Sequence, residues 1–256
     1  MIRSLLQAWR RTREAGVLAR RAIPDALWER TLARYPFLSR LPADDRAELR
    51  RLVSLFLDQK EFSGAAGLVV SDDMAVAIAA QACLPVMRLG LALYGDFVGI
   101  VVHADEVVAA REVTDEQGIV HRYDEVLAGE AMAGGPVMLS WRDADAASDA
   151  GLAPYNVVIH EFAHVLDMAD GLADGIPPLP TAAARNAWSE VLMAEFDRFT
   201  EKVVCGYETT VDPYGAEAPE EFFAVASEAF FVAPQALKEE QPAMYRLLSS
   251  FYRQAP

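Results

Sequence analysis

Apolar side chains recur along this chain mostly at the three- and four-residue spacing of a helix with one buried face. The pattern is clearest at residues 42–57, where leucine, valine and phenylalanine fill one side and Asp44 and Asp45 precede them. Acidic residues in a first turn favour a helix start there, because they oppose the positive end of the helix dipole. The same spacing predicts helices at 1–20, 24–35, 71 to about 93, 157–170, 181–203, 219–232 and 237–252.

A few short runs have strand character instead. FVGIVVH at 97–103 is rich in β-branched residues and predicts a buried strand. VMLSW at 137–141, which follows Gly134-Gly-Pro136, is a second strand candidate, and Leu68–Val70 is a third, shorter one. Residues 111–125 are charged and predict a hairpin around Glu116-Gln-Gly118. Many helices with a small set of strands predict the α+β class, with a mostly helical core and a small sheet.

The length bounds how these elements are organised. With 256 residues, the chain suffices for one sizeable core or for a core with a small appended part. We expect an N-terminal helical region at 1–60 and the main domain at 61–256. No internal repeat interrupts this plan.

Charge is strongly acidic and unevenly distributed. The net charge is −15, although residues 1–40 hold nine arginines and only three acids. So acidic a chain lacks the surface that neutralises phosphates, and we therefore expect no nucleic-acid partner. The arginine-rich start is either a solvated helix face or a docking arm for an acidic partner or an anionic membrane surface.

Hydropathy and cysteine usage predict the compartment. The most apolar stretch, Met74–Met87, is 14 residues long, contains Gln81 and Pro85, and is short for a membrane span. The arginines in residues 1–16 leave no room for a secretory signal. Two distant cysteines make no disulfide framework or metal spacing. We expect a cytoplasmic protein without a membrane span.

The stretch NVVIHEFAHVLDMADG at 156–171 carries the candidate chemistry. On a helix, His160 and His164 lie on one face and can direct two imidazoles at one divalent ion. Glu161 projects beside that ion, where it can act as a general base on water. This is the H-E-x-x-H pattern of zinc hydrolases. Apolar neighbours predict a buried helix, in which two histidines and a glutamate without a role would be costly.

A catalytic zinc needs a third protein ligand, and the sequence offers several carboxylates. No third histidine follows at the close spacing of some zinc peptidases, and His103 and His121 are interpreted as structural or surface residues. The helix PEEFFAVASEAFF contains Glu220, Glu221 and Glu228. Spacing favours Glu221 or Glu228 and does not choose between them. Asp167, three residues after His164, is a candidate to orient a ligand imidazole or a simple helix-end acid.

Several ordered motifs resemble the Mlc titration factor A family of zinc-dependent peptidases. HEFAHVLD and VDPYGAEAPEEFFAVASEAFF carry the resemblance, together with QKEFSGAAGL, IAAQACLPV, GPVMLSW and GIPPLP. It covers the chain from about residue 50 to the C-terminus. The resemblance implies a zincin-like metallopeptidase core similar to that of the anthrax lethal factor protease domain.

The resemblance also implies roles for particular residues. It assigns Zn²⁺ to His160, His164 and Glu221. It also makes Glu228 a candidate to contact a metal ligand without binding the metal itself. Tyr214 would donate a hydrogen bond to the oxyanion opposite Glu161. The family's D-P-Y-A is D-P-Y-G here, and the glycine is expected to loosen the tyrosine loop.

Two functions remain open at this point. The first is a zinc peptidase, with an aminopeptidase and a role in regulating sugar uptake among the options the family implies. VMLSW is interpreted as an edge strand that pairs with an extended peptide substrate. The alternative is a regulatory protein that sequesters a glucose-responsive transcriptional repressor, with the zinc structural or vestigial.

Overall fold

A computed structural model describes residues 12–114, 120–146 and 154–256. The helices are α1 (12–20), α2 (Asp25–Arg34), α3 (Pro36–Ser39), α4 (Ala43–Gln59), α5 (Asp72–Cys83), α6 (Trp141–Ala146), α7 (Val157–Asp167), α8 (Ala182–Val204), α9 (Pro219–Val232), α10 (Pro234–Glu240) and α11 (Pro242–Tyr252). The strands are β1 (Glu61–Gly64), β2 (Gly99–His103), β3 (Val107–Thr114), β4 (Val120–Leu127), β5 (Gly129–Ala131) and β6 (Val137–Ser140). The mostly helical α+β class is thus confirmed.

Four strands form a mixed sheet in the order β1-β2-β6-β5. The pairs β1–β2 and β2–β6 are parallel, whereas β5 runs antiparallel to β6. The expectation that VMLSW is an edge strand was wrong, because β6 is hydrogen-bonded on both sides. Its burial explains this position: Val137 and Leu139 are fully covered by the core. The outer edge belongs instead to the short strand β5.

The hairpin predicted at 111–125 is confirmed as the separate antiparallel pair β3–β4, with Val107 opposite Leu127 and Thr114 opposite Val120. Its expected tip lies outside the described residues. The strand predicted at Leu68–Val70 was wrong. A turn occupies Ala66 and Gly67, both with positive φ, and Val69 beyond it is 84% exposed, so no sheet covers this segment.

Prolines account for the two helix boundaries that differ most from expectation. The helix expected to reach residue 93 ends at Cys83, because Pro85 supplies no N–H, and a 3₁₀ turn follows at Leu91–Tyr94. The helix expected at 237–252 is divided into α10 and α11 by Pro242. The helices predicted at 181–203 and 219–232 are confirmed as α8 and α9.

A single cluster of buried hydrophobic side chains runs through the described chain, from Ile23 near α2 to Tyr252 at the end of α11. Residues on both sides of position 60 belong to it, and the division at that position stays a prediction. No helix in the described part of the chain is both long and apolar enough to cross a bilayer.

Candidate metal centre

Helix α7 carries the two motif histidines and is fixed at both its start and its buried face. The side chain of Asn156 caps the helix by accepting a hydrogen bond from the Ile159 N–H at 2.9 Å. Phe162 is fully buried, with its ring 4.9 Å from Tyr94 and 5.8 Å from Phe56. Since such aromatic contacts hold one face of α7 in the core, the opposite face presents its polar residues to α9.

Helix α9 brings the carboxylates to that face. Pro219 occupies its first turn, where a missing N–H costs nothing. Its phenylalanines anchor it against α8: Phe222 stacks on Phe199 at 5.0 Å, and Phe223 lies 5.9 Å from Trp188. The side chains of Glu221 and Glu228 meet His160 on the other side of the helix.

His160, His164 and Glu221 bring three donor atoms together. The Nε2 atoms of the two histidines are 3.1 Å apart, and Glu221 Oε2 lies 3.2 Å from that of His160 and 3.4 Å from that of His164. A tetrahedral ion with bonds of roughly 2.0–2.1 Å separates its ligands by about 3.3 Å. Among the described residues, this is the one group of histidine, cysteine and acidic side chains that could hold a metal ion.

The hydrogen bonds of these residues fit a bound cation. Glu221 Oε2 is buried and accepts no hydrogen bond from any residue that the structure describes. Glu228 Oε1 lies 2.8 Å from Nδ1 of His160, and a carboxylate there favours the tautomer with the proton on Nδ1. The lone pair of His160 Nε2 then faces the other two donors. An orphaned carboxylate oxygen beside two imidazole nitrogens is the arrangement a divalent metal would satisfy.

In the metal-free protein the imidazole of His160 and the carboxylate of Glu221 favour each other's charged forms, so a metal ion that binds here must displace a proton from His160. Burial opposes charge on both His160 and Glu221, but their mutual contact outweighs it. The pKa of His160 is therefore raised well above its ordinary value, with Glu228 adding to the effect. The pKa of Glu221 falls to about 2, so this carboxylate is ionised and available as a ligand at neutral pH.

Glu161 lies under strand β5, in a space that a glycine leaves open. Its side chain is only 5% exposed, and a Cβ added to Gly129 would stand 2.5 Å from its Oε1 atom. Burial raises the pKa of Glu161, while the neighbouring imidazoles and an N–H from Ala131 oppose the rise. A general base with a raised pKa can hold and release a proton nearer to neutral pH.

Tyr214 lies near His160, in a 3₁₀ turn at Pro213–Ala216. Asp212 caps the turn by accepting the Tyr214 N–H at 2.9 Å, and the tyrosine ring centre is 6.1 Å from that of His160. The expectation that Gly215 loosens this turn was wrong. Gly215 is buried, and an added Cβ would lie 2.5 Å from Val225 Cγ2, so the glycine permits close packing on α9.

Asp167 contacts the loop after α7. It is fully buried, and its Oδ2 accepts the Gly175 N–H at 2.9 Å. Its Oδ1 has no hydrogen-bond partner among the described residues, so it makes no hydrogen bond to a ligand imidazole. Burial raises the pKa of Asp167 to about 6.

A pocket of about 210 Å³ opens beside His160 and Glu161, between the end of β4, β5 and the tyrosine turn. Its lining includes Gly129 and Tyr155, which sequence reasoning did not identify, and Asp212, which it named only as part of the D-P-Y-G motif. Residue spacing gives no indication that Gly129 or Asp212 lines a pocket at this site. Tyr155 directly precedes the helix cap, and that adjacency was the only available signal.

The fold and this site define the class: a mostly helical α+β protein whose H-E-x-x-H helix faces a glutamate helix, as in a metallopeptidase. The family described as glucose-regulated metallo-peptidase M90 matches residues 6–253, and the chain belongs to it.

Several relatives match along most of their length. The chain is 38% identical over 224 residues to Mlc titration factor A of Edwardsiella ictaluri, covering 86% of this chain and 85% of the relative. It is 37% identical over 236 residues to Mlc titration factor A of Serratia proteamaculans, covering 90% and 88%. An uncharacterised protein of Synechocystis sp. is 34% identical over 228 residues, covering 88% and 82%. The resemblance drawn from the motifs is confirmed.

Proposed function

We propose that the protein is a zinc-dependent peptidase that hydrolyses peptide bonds. The observation that carries this proposal is the trio of donor atoms on His160, His164 and Glu221, spaced 3.1–3.4 Å apart beside a buried glutamate. Two imidazoles, one carboxylate and an adjoining pocket correspond to a catalytic site with a position left open for water. Zinc bound there would act as a Lewis acid and lower the pKa of water.

The side chains of this chain then have distinct roles. Glu161 takes a proton from the attacking water and delivers it to the departing amide nitrogen. Glu228 keeps a proton on Nδ1 of His160 and so holds that ring in its ligand orientation. Tyr214 hydrogen-bonds the oxygen of the carbonyl under attack, where negative charge develops. A core like that of the lethal factor protease domain stays a prediction.

The substrate would lie along β5. This short edge strand contacts α7 and covers Glu161, and its outer side has no strand partner in the described sheet. An extended peptide could pair with that edge and bring one carbonyl over the pocket. The pocket is small, which favours a few residues of a chain end over a folded protein, so we propose an aminopeptidase.

The decisive variant is Glu161→Gln. An amide cannot accept the proton from water, so turnover should fall by about 10²–10⁴-fold while zinc stays bound at one equivalent. Turnover is measured on free and N-acetylated peptides of mixed sequence, and zinc by elemental analysis. Glu190→Gln, the same change at an exposed position on α8, is the matched control.

The possible results test the metal assignment, the catalytic mechanism and the substrate class separately. Equal turnover by Glu161→Gln and the wild type would refute the mechanism. Absence of zinc in the wild-type protein would refute the metal assignment. Cleavage of N-acetylated peptides at the rate of free ones would refute the aminopeptidase assignment and leave an endopeptidase or a carboxypeptidase.

A second candidate is a regulatory binding protein, and the name Mlc titration factor A of the relatives favours it. The chain would bind a glucose-responsive transcriptional repressor and thereby affect sugar uptake. The arginine-rich residues 1–40 are the proposed docking surface. Calorimetric titration with the purified repressor of the same organism tests this, and Glu161→Gln should bind as well as the wild type. No binding at about 100 μM would exclude it.

We also propose that the protein acts in the cytoplasm. Cys83 is buried and Cys205 exposed, and both are free thiols. An exposed free thiol is compatible with a reducing compartment. Fractionation of cells with detection of the native chain tests the assignment, and recovery outside the cytoplasm would contradict it.

A further inference from the structure

A chain of buried polar side chains leads away from His160 into the core. Glu228 bonds Nδ1 of His160 and also accepts the backbone N–H of Asn156. The side-chain amide of Asn156 in turn donates to Oε1 of Gln81 at 2.8 Å. Gln81 lies on α5, 79 positions before His160 in the sequence, within the motif IAAQACLPV that the proposed mechanism leaves unused.

Gln81 is held on both sides of its amide. Its Nε2 donates to the carbonyls of Ala77 at 3.2 Å and Ala144 at 3.4 Å, while its Oε1 accepts from Asn156. The side chain of Tyr35 donates to the same Ala144 carbonyl at 3.1 Å. The two accepting carbonyls and the donating Asn156 amide fix which way the Gln81 amide points, because a flipped amide would place an N–H against the N–H of Asn156.

The surroundings of Gln81 are otherwise apolar. Gln81 and Asn156 are both 0% exposed, and the neighbours Ala80 and Ala82 are fully buried. Burying an amide is costly unless its hydrogen bonds are made, whereas a leucine or methionine at this position would bury more apolar surface at no such cost. A fully satisfied amide in this place therefore has an effect beyond filling the core: it orients Asn156.

Asn156 connects that amide to the metal centre through two of its groups. Its Oδ1 caps α7 at Ile159, and its backbone N–H holds Glu228. Any rotation of the Asn156 side chain releases the first turn of the helix that carries His160. A shift of the backbone at Asn156 that follows from this release would also displace the N–H that holds the Glu228 carboxylate.

We propose that Gln81 is a positioning residue for the metal centre, acting through Asn156 and Glu228 on the orientation of His160. This inference rests on the metal site of the proposed function. Partners that orient a ligand histidine typically alter metal affinity by 10–100-fold. Because three hydrogen bonds separate Gln81 from the ring, we expect the lower end of that range.

The test is Gln81→Met, which keeps the volume and removes the amide. The matched control is Gln241→Met, the same change at a buried glutamine whose amide has no hydrogen-bond partner among the described residues. Zinc dissociation constants are measured by competition with a chromophoric chelator, at a temperature where each metal-free protein is folded. The visible spectrum of the Co²⁺-loaded protein reports ligand geometry independently.

Gln81→Met should bind zinc about tenfold more weakly than the wild type and shift the Co²⁺ bands, while Gln241→Met should do neither. If Gln81→Met does not fold, Asn156→Ser replaces it, because serine still caps the helix but cannot reach Gln81. A dissociation constant within twofold of the wild type, in whichever variant folds, overturns the proposal. A wild-type protein that binds no zinc overturns the metal centre itself, which is a separate result.

Discussion

A missing methyl group at Gly129 leaves room for the carboxylate of Glu161. An added Cβ would lie 2.5 Å from Oε1 and 2.6 Å from Cγ, too close for any carbon. In Gly129→Ala the glutamate must leave its position, because β5 is held to β6 by hydrogen bonds. Turnover should fall by at least about tenfold at unchanged zinc content, with kcat and zinc stoichiometry as the measurements.

The control for that variant is Gly99→Ala in the same sheet. A Cβ there would meet its nearest atom, on Pro136, at an ordinary 3.4 Å, so activity should stay near that of the wild type. Equal activity in both alanine variants would show that Glu161 tolerates displacement.

Asp167 gives a pH-dependent prediction. Burial raises its pKa to about 6, from 3.8, so the folded protein binds this proton more tightly than the unfolded chain does. The resulting stabilisation is complete below about pH 4 and is lost as the pH rises through 6. Relative to the wild type, Asp167→Asn should therefore gain stability between pH 4 and 7, by at most about 3 kcal/mol.

The measurement is the melting temperature of both proteins, with a chelator present, at several pH values. The asparagine introduced at this position can still accept the Gly175 N–H through its side-chain oxygen, so the loop contact is retained. Parallel curves for the two proteins would contradict the prediction.

For individual residues, the sequence predicts which polar side chains form the site better than it predicts which residues pack closely around them. His160, Glu161 and His164 follow from helical spacing alone, whereas Glu221 needed the family motif to be separated from Glu228. Gly129 could not be found, because nothing in its neighbourhood on the chain indicates that Glu161 lies so close to it. Close approach between distant segments is a tertiary property, and local patterns do not encode it.

Among the elements, the turn that carries Tyr214 shows that tertiary packing, and not the mere presence of a glycine, explains the residue at position 215. The turn at Pro213–Ala216 lies on α9 through Gly215, whose position would bring a Cβ 3.2 Å from the Phe222 Cα and 2.5 Å from Val225. Gly215→Ala should cost about 1–3 kcal/mol of folding free energy through overpacking. It should also reduce kcat more than zinc affinity, because Tyr214 moves and the metal donors do not.

Val225→Ala supplies a rescue of that variant. Removing the Val225 methyl groups makes room for the new one, so the double variant should recover part of the loss. A double-mutant cycle on unfolding free energies should give a favourable coupling of at least about 1 kcal/mol. Strict additivity would mean that the turn relaxes in another direction.

The strands show a second limit of prediction from the sequence. The sequence located β2 and β6 correctly, but it did not indicate that β6 lies between β2 and β5. Three residues, Gly129–Ala131, form β5 with too short a pattern to be read as a strand. The strand at the site was therefore the one that sequence periodicity could not detect.

At the scale of the whole molecule, the metal centre joins two helices that are far apart in the sequence. Helix α7 supplies two donors and α9 the third, and each is anchored by its own aromatic contacts. Local patterns predicted both helices, and helical spacing defined half of the site. Their pairing required either the resemblance or the coordinates, because a ligand on a distant helix has no fixed sequence offset.

Metal removal should consequently lower the stability of the whole fold. Zinc that binds only the folded state adds about 2.7 kcal/mol at 100 times its dissociation constant, which corresponds to roughly 5–10 °C in a domain of this size. Melting temperatures with excess chelator and with added zinc measure this difference. Glu221→Ala should abolish most of the shift, because it removes the donor from α9. Glu220→Ala, one position earlier on the same helix and outside the donor group, should keep it. If both variants retained the full shift, the zinc would be held by α7 without α9, and the two helices would not share one metal centre.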